Sequence, residues 1–301
     1  MKKFLKPYLD KLPYIRDLRK QINKQGTYPA GHYYSPIPNK AEALSYINCS
    51  IQEKKDLSGI HLNDNLQHDL LRKFVQYYDD LPFPEKINSQ YRYYYDNSFY
   101  TYSDAIFLYS FLRRHEPEKV IEIGSGFSSA VILDTVDSFF SHKPEITFIE
   151  PDTSRLEKLL KNDDGEIVNI IESKIQDISP DFFSSLQAGD LLFIDSSHVV
   201  KCGSDLHYLF FEIMPSLSDG VFIHFHDIFY PFEYPAKWLE EGRYWNENYF
   251  LRAFLTNNTE WEIIFFNTYV AIEYSEIIEK HMPLCTKNPG GSIYIQKCIK
   301  S

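Results

Sequence analysis

The stretch Lys119–Ala130, KVIEIGSGFSSA, decides how the rest of the chain is read. An apolar run of Val120, Ile121 and Ile123 stops at Gly124-Ser125-Gly126, and Ser128-Ser129 open a helical run, AVILDTV. The pattern is a strand, a tight turn and a helix start. Glycine belongs at such a junction because it lacks a Cβ and tolerates positive φ, so the backbone can approach a ligand closely. A second apolar strand, Ile146 to Ile149, ends at Glu150. In a doubly wound sheet that carboxylate stands beside the first crevice, placed to accept hydrogen bonds from ribose hydroxyls.

Outward from this unit, short apolar runs alternate with helical segments. Strands are expected at 119–123, 146–150, 167–171, 191–195, 221–226 and 262–266, with helices at 154–161 and 204–214 between some of them. Runs without strict alternation suit parallel strands buried on both faces. Pro289-Gly290-Gly291 lead into a last strand, SIYIQK, expected to insert antiparallel at the sheet edge. Upstream, an amphipathic helix beginning near Asn63 gathers Leu66, Leu70, Leu71, Phe74, Val75 and Tyr78 on one face. A second helix, expected to be capped at Ser103 and ended by Pro117, delivers the chain to the first strand. The expected architecture is α/β: a Rossmann-like doubly wound sheet of seven strands, the last antiparallel. An N-terminal helical and extended cap over residues 1–90 precedes the sheet domain of residues 91–301.

Composition narrows the function. The 301 residues are 44% hydrophobic and carry a net charge of −11, which argues against nucleic acid as partner because such binding rests on basic patches. No apolar segment of signal-peptide length opens the chain and no run of eighteen apolar residues occurs, so no membrane span and a soluble, cytoplasmic protein are expected. Cys49, Cys202, Cys285 and Cys298 are too scattered to suggest a disulfide framework or a cysteine metal site. The aromatic content of 16%, with 23 Tyr and 23 Phe, suits interfaces and sugar-binding clefts as well as ordinary cores, and leaves a homodimer open.

Several segments together resemble the class I S-adenosylmethionine-dependent methyltransferases, in the branch associated with sugar and polysaccharide biosynthesis. They are VIEIGSGFSSA, FIEPD, FIDSSHV, EIMPSLSDGVFIHFHDIFYPFEYP, WNENYFLRAFL and PGGSIYI, and the resemblance runs from about residue 90 onward. It implies that Glu122, Gly124, Ser125 and Gly126 border the methionine part of the cofactor and that Glu150 binds its ribose. It also implies that Asp177 sits near the adenine and that Asp195 is a further cofactor contact. Glu122 is notable because a carboxylate inside an apolar strand needs a partner, which the cofactor's cationic amine would supply. On this reading Gly124→Val blocks cofactor binding without unfolding the core.

The strand ends hold the reactive groups. Strand four ends in Asp195 with His198 close behind, and strand five ends in His224, His226 and Asp227. Two readings compete. In one, Asp195, His226 and Asp227 hold a divalent cation, Mg²⁺ or Mn²⁺. Metal-dependent O-methyltransferases resemble this layout but carry Asp-Asp or Asp-Asn where this chain has His226-Asp227, which shifts the preference away from Mg²⁺. In the other, the site is metal-free and His198, or secondly His226, is the general base for a sugar hydroxyl. His224 is discounted as buried. Tyr234, Trp245, Asn246 and Glu247 are candidate contacts to a glycan or other small-molecule acceptor, and Tyr249, Phe250, Ala253 and Phe254 are expected to turn inward on the helix that follows. GHYYSPIP near residue 31 reads as a lid or a brace. The alternatives are an NAD-dependent oxidoreductase or epimerase, which the Ser129 in place of a third glycine disfavours, and a non-catalytic partner-binding module.

Overall fold

The computed structural model describes residues 12–15, 17, 27–50 and 57–299; much of the expected N-terminal cap and the side chain of Cys49 lie outside the described residues. Seven strands form one sheet: β1 Lys119–Ile123, β2 Glu145–Ile149, β3 Val168–Ile171, β4 Leu191–Ile194, β5 Phe222–His226, β6 Trp261–Phe266 and β7 Ser292–Lys297. Their order is β3-β2-β1-β4-β5-β7-β6. β1 to β5 pair in parallel, and β7 is antiparallel to both β5 and β6. The last strand therefore lies inside the sheet, not at its edge as expected. Ile293, Tyr294 and Ile295 are all fully buried, so β7 has no face for solvent and is stable only between two neighbours.

Helix Ser103–His115 is buried from Ser103 to Leu112. An almost continuous apolar run, AIFLY, makes it a core helix rather than an amphipathic one. Ser103 does not cap it: the helix follows Tyr102, and the Ser103 hydroxyl donates to the Cys285 carbonyl at 3.0 Å. On helix Asp64–Val75 the inward residues are Gln67, Leu70, Leu71 and Phe74, and Leu66 is exposed. Gln67 faces inward because its Oε1 accepts the Phe266 N–H at 2.8 Å.

Helix Glu247–Leu255 also turns differently from expectation, burying Glu247, Asn248, Leu251 and Leu255. Two polar anchors select that face. Glu247 reaches His198, and the Asn248 side-chain oxygen accepts the Phe229 N–H at 3.1 Å. Buried polar groups need partners, and here that need outweighs the burial of Tyr249 and Phe254.

The chain forms two compact units, residues 1–54 with 234–244, and residues 55–233 with 245–301. Residues 55–90 of the expected cap thus fall in the unit that holds the sheet. In the smaller unit, helix Lys40–Ser50 contacts helix Ala236–Glu240, with Lys40 Nζ donating to the Glu240 carbonyl at 2.7 Å.

Candidate active site

The glycine turn is set by its neighbours in the sheet. Gly124 has a φ of +82°, and a Cβ there would collide with the carbonyl oxygen of Asp195. Its N–H donates to the Ile149 carbonyl at 3.0 Å, and the Asp195 N–H donates to the Ile123 carbonyl at 2.8 Å. A close approach that demands glycine is therefore made by the end of β4 itself. This corrects the expectation for Gly124→Val: the substitution strikes the backbone of the sheet itself.

Glu122, in the middle of β1, is fully buried. Its partners are the hydroxyls of Ser128, which donates at 2.5 Å, and Ser129. Ser129 Oγ in turn accepts the Gly126 N–H at 2.9 Å. The two serines at the start of helix Phe127–Phe139 thus give this buried carboxylate partners within the chain. Burial, only partly offset by these hydroxyls, pushes the Glu122 carboxyl up to about 8. Ser125 donates its N–H to Glu150 Oε2 at 3.1 Å, and the Asp152 N–H reaches Glu150 Oε1 at 3.0 Å.

Beyond the carboxyl ends of β1, β2 and β4 lies a cavity of about 410 Å³ lined by Gly124, Glu150, Gln176, Asp195, Ser197 and Asp205, among others. Open α/β sheets collect ligands at this position. Asp177 is exposed and does not line the cavity; its neighbour Gln176 does, with its side-chain nitrogen donating to the Gly203 carbonyl at 3.0 Å.

At the rim, β4 and β5 bring together Asp195, His198, His226 and Asp227. His198 Nε2 lies 3.4 Å from Asp195 Oδ1 and 3.5 Å from Asp227 Oδ2. One donor atom from each of these three residues lies within 4.8 Å of the others. His226 Nδ1 is 3.3 Å from Asp195 Oδ1 and 3.7 Å from Asp227 Oδ1; it is buried and has no hydrogen-bond partner. Each imidazole has a carboxylate behind it. Glu247 Oε2 lies 2.8 Å from His198 Nδ1, and Asp104 Oδ2 lies 3.7 Å from His226 Nε2.

The backbone is bent to make this convergence. His198 has a φ of +58° and Asp227 a φ of +60°. For side-chain-bearing residues this left-handed conformation costs about 1–2 kcal/mol each. Such costs persist where the surroundings over-determine the geometry, as they do at functional sites.

The charges are strongly coupled. Burial opposes the charged form of His198, but Asp195, Glu247 and Asp227 outweigh it and raise the imidazole to about 10. His226 is raised in the same way against its burial by Asp227 and Asp195. Burial works against Asp195 ionising, yet the two imidazoles hold it well below the usual carboxylate range. Burial raises Asp227 and Glu247. His224 is fully buried, stacked on Phe193 at 4.1 Å, and burial drives it well below the ordinary histidine value.

Of the expected acceptor contacts, Trp245 reaches the rim, its ring 4.3 Å from that of His198. Asn246 faces inward: its side chain accepts the Val200 N–H at 2.7 Å and donates to the Val200 carbonyl at 3.2 Å. Glu247, only 1% exposed, orients His198. Tyr234 belongs to the smaller unit, where it stacks with Trp238 at 6.1 Å. Asp104 is a site residue that the sequence reading missed. Its Oδ1 accepts from the Gly291 N–H, the Ser292 hydroxyl and Asn267 Nδ2 at 2.9, 2.8 and 3.2 Å. The only local signal was an acid at the start of an otherwise apolar helix.

A parallel sheet whose antiparallel strand lies between β5 and β6, with a ligand cavity at the glycine turn, defines the Rossmann-like methyltransferase class. Residues 121–228 match the family described as methyltransferase domain, and the chain is a methyltransferase. It belongs to the same family as a protein of Archaeoglobus fulgidus, itself termed only an uncharacterized protein, with 32% identity over 167 residues, 53% of this chain and 74% of the relative. This sets aside the oxidoreductase reading.

Among solved structures, the O-methyltransferase TomG of Streptomyces achromogenes, in complex with SAM, is similar at a TM-score of 0.41 and 12% identity, over 86% of this chain and 96% of that one. The SAH-bound methyltransferase PaMTH1 of Podospora anserina is similar at 0.41 and 15%, over 87% and 98%.

Proposed function

We propose that this chain transfers a methyl group from S-adenosylmethionine to an oxygen of a carbohydrate-type acceptor, with a divalent cation at Asp195, His198 and Asp227. The observation that carries the proposal is the geometry of His198 Nε2, which faces two carboxylate oxygens at 3.4 and 3.5 Å. These separations are long for N–H···O bonds. They fit donors that share one ion, because metal–ligand bonds of about 2.0–2.2 Å put adjacent donors roughly 3 Å or a little more apart. His226 Nδ1, beside Asp195 and without a hydrogen-bond partner, is a fourth donor in reach. The Glu247 carboxylate, 2.8 Å behind His198, matches the hydrogen-bonded support that metal-binding histidines require. Mixed imidazole and carboxylate donors favour Mn²⁺, Fe²⁺ or Zn²⁺ over Mg²⁺.

When bound, the cofactor supplies a methyl group on a good leaving group, and the cation supplies a Lewis acid that lowers the pKa of an acceptor hydroxyl. The chain's own work is alignment. Glu150, whose two oxygens each hold one backbone N–H of the loop, keeps lone pairs for ribose hydroxyls at the cavity wall. Glu247 fixes which nitrogen of His198 faces the cluster. The Trp245 ring offers an apolar platform for a sugar face beside it.

The test is labelled methyl transfer to nucleotide sugars and oligosaccharides by protein stripped with a chelator, then resupplied with Mn²⁺ or Mg²⁺. Transfer to oxygen that depends on the added cation is the expected result. Full activity in chelator would remove the cation from the proposal, and transfer to nitrogen acceptors alone would overturn the oxygen assignment.

A further inference from the structure

A second cavity, of about 430 Å³, lies apart from the residues of the candidate active site. It falls within the roughly 300–1,000 Å³ range of small-molecule sites. Its walls include Arg92, Arg155, Lys158 and Lys161 together with Tyr94 and Phe127, and among the described residues no Asp or Glu lines it. In a chain with a net charge of −11, a cavity with four cationic side chains and no acid in its lining is a marked local reversal. We infer that this cavity binds an organic phosphate with a flat body, of the nucleoside diphosphate class.

The four cations are not equivalent. Arg92 is consumed: its guanidinium is bonded to Asp134, Asp137 and Asp164, all outside the lining. It therefore braces the wall and contributes little free charge. Arg155 makes its close contacts with an aromatic ring, its guanidinium lying 4.0 Å from the centre of the Phe99 ring, and among the described residues no carboxylate pairs with it within 4.0 Å. The same holds for Lys158, which is exposed. Asp152, which does not line the cavity, feels the charge of both. Lys161 lines the cavity, donates to the Gln90 carbonyl at 2.7 Å and lies 3.9 Å from Asp134, so its charge is partly shared. Arg155 and Lys158 are thus the cations left to meet a phosphate, with Lys161 beside them.

The apolar wall is equally built. Phe127 is flanked by Phe99, stacked at 5.9 Å, and by Tyr94, edge-on at 5.5 Å. Aromatic walls accept the face of a base, and guanidinium and ammonium groups accept phosphate oxygens. Lysine and arginine side chains beside rings in one lining match a molecule that carries both an anionic group and a planar one.

The probe is uridine 5′-diphosphate, titrated calorimetrically into the full chain at low salt, with pyrophosphate and uridine as separate arms. A pyrimidine is chosen so that competition at the adenosine-type cavity is small, and S-adenosylhomocysteine is present throughout. Binding tighter than millimolar, weaker for each half of the molecule alone, and weakened about tenfold or more by Lys158→Glu and by Arg155→Ala, is the expected result. Salt should weaken it as well. The cavity does not hold such a ligand if uridine 5′-diphosphate fails to bind at millimolar concentration or binds both variants as it binds the parent. Pyrophosphate binding as tightly as the nucleotide would remove the flat body from the inference. Glu150→Ala, in the first cavity, should leave the uridine 5′-diphosphate affinity unchanged; its loss in that variant would assign the binding to the active site.

Discussion

Glu247 Oε2 lies 2.8 Å from Nδ1 of His198, across 49 positions of sequence, and this contact leaves Nε2 as the nitrogen that faces Asp195 and Asp227. Glu247→Gln keeps the shape of the side chain and removes its charge. Outer-shell changes of this kind cost about 10–100-fold in metal affinity or activity. The expected outcome is a rise of about tenfold or more in the cation concentration needed for half-maximal methyl transfer. An unchanged cation dependence would remove Glu247 from this role.

Glu122 gives a stability prediction with a definite sign. Its folded carboxyl stands near 8, above the roughly 4.3 of an unfolded glutamate. Between those values the folded chain holds more protons than the unfolded one, so this group's contribution to stability falls as pH rises through that window. Glu122→Gln should therefore flatten the decline of Tm between pH 5 and pH 8 and gain on the parent at the alkaline end by about a few kcal/mol. Parallel unfolding curves for the two proteins over that range would contradict the assignment.

Gly124 and Gly126 stand two residues apart and should respond differently. Alanine at Gly124 meets the Asp195 carbonyl and must also adopt a φ of +82°. A loss of about 3 kcal/mol or more is expected, since strain and a displaced strand end both contribute. Alanine at Gly126 meets the flexible side chain of Arg155, its Cδ at 3.3 Å and its Nη1 at 3.9 Å. Urea denaturation of both variants should show a large shift in midpoint for the first and a small one for the second.

Arg92 holds three carboxylates, of which Asp134 and Asp164 are themselves buried. Arg92→Met leaves those charges without their partner, and breaking a buried pair from one side costs about 3–5 kcal/mol. A denaturation midpoint close to that of the parent would show that the acids find other partners.

The legible parts of this protein were those with local signals. The turn at Gly124 and the apolar runs on either side of it are local, so the parallel half of the sheet could be read directly. The rim of Asp195, His198, His226 and Asp227 was legible for the same reason, because each polar group closes an apolar strand. Asp104 was not, since its partners Gly291, Ser292 and Asn267 lie far along the chain. In the sequence Glu247 and Asn246 read as acceptor contacts because amide and carboxylate groups bind hydroxyls. Their partners, His198 and Val200, are set by tertiary approach, which periodicity does not encode. The inward face of helix Glu247–Leu255 escapes the sequence for the same reason: polar pairing, not apolar spacing, sets it.

The place of β7 between β5 and β6 makes the completion of the sheet depend on its last strand. β6 precedes β7 in the chain, but among the described residues its only strand neighbour is β7, so within them it has no strand to pair with until the later one arrives. A parallel half-sheet of β1 to β5 can form first from nearer contacts, and non-local pairings then follow at greater loop-closure cost. When β7 seats, the backbone of Gly291 and the hydroxyl of Ser292 reach Asp104, and Asp104 stands behind His226. The strand that closes the sheet is also the latch of the candidate site's rim, so a chain caught before that step has neither a finished sheet nor a finished rim.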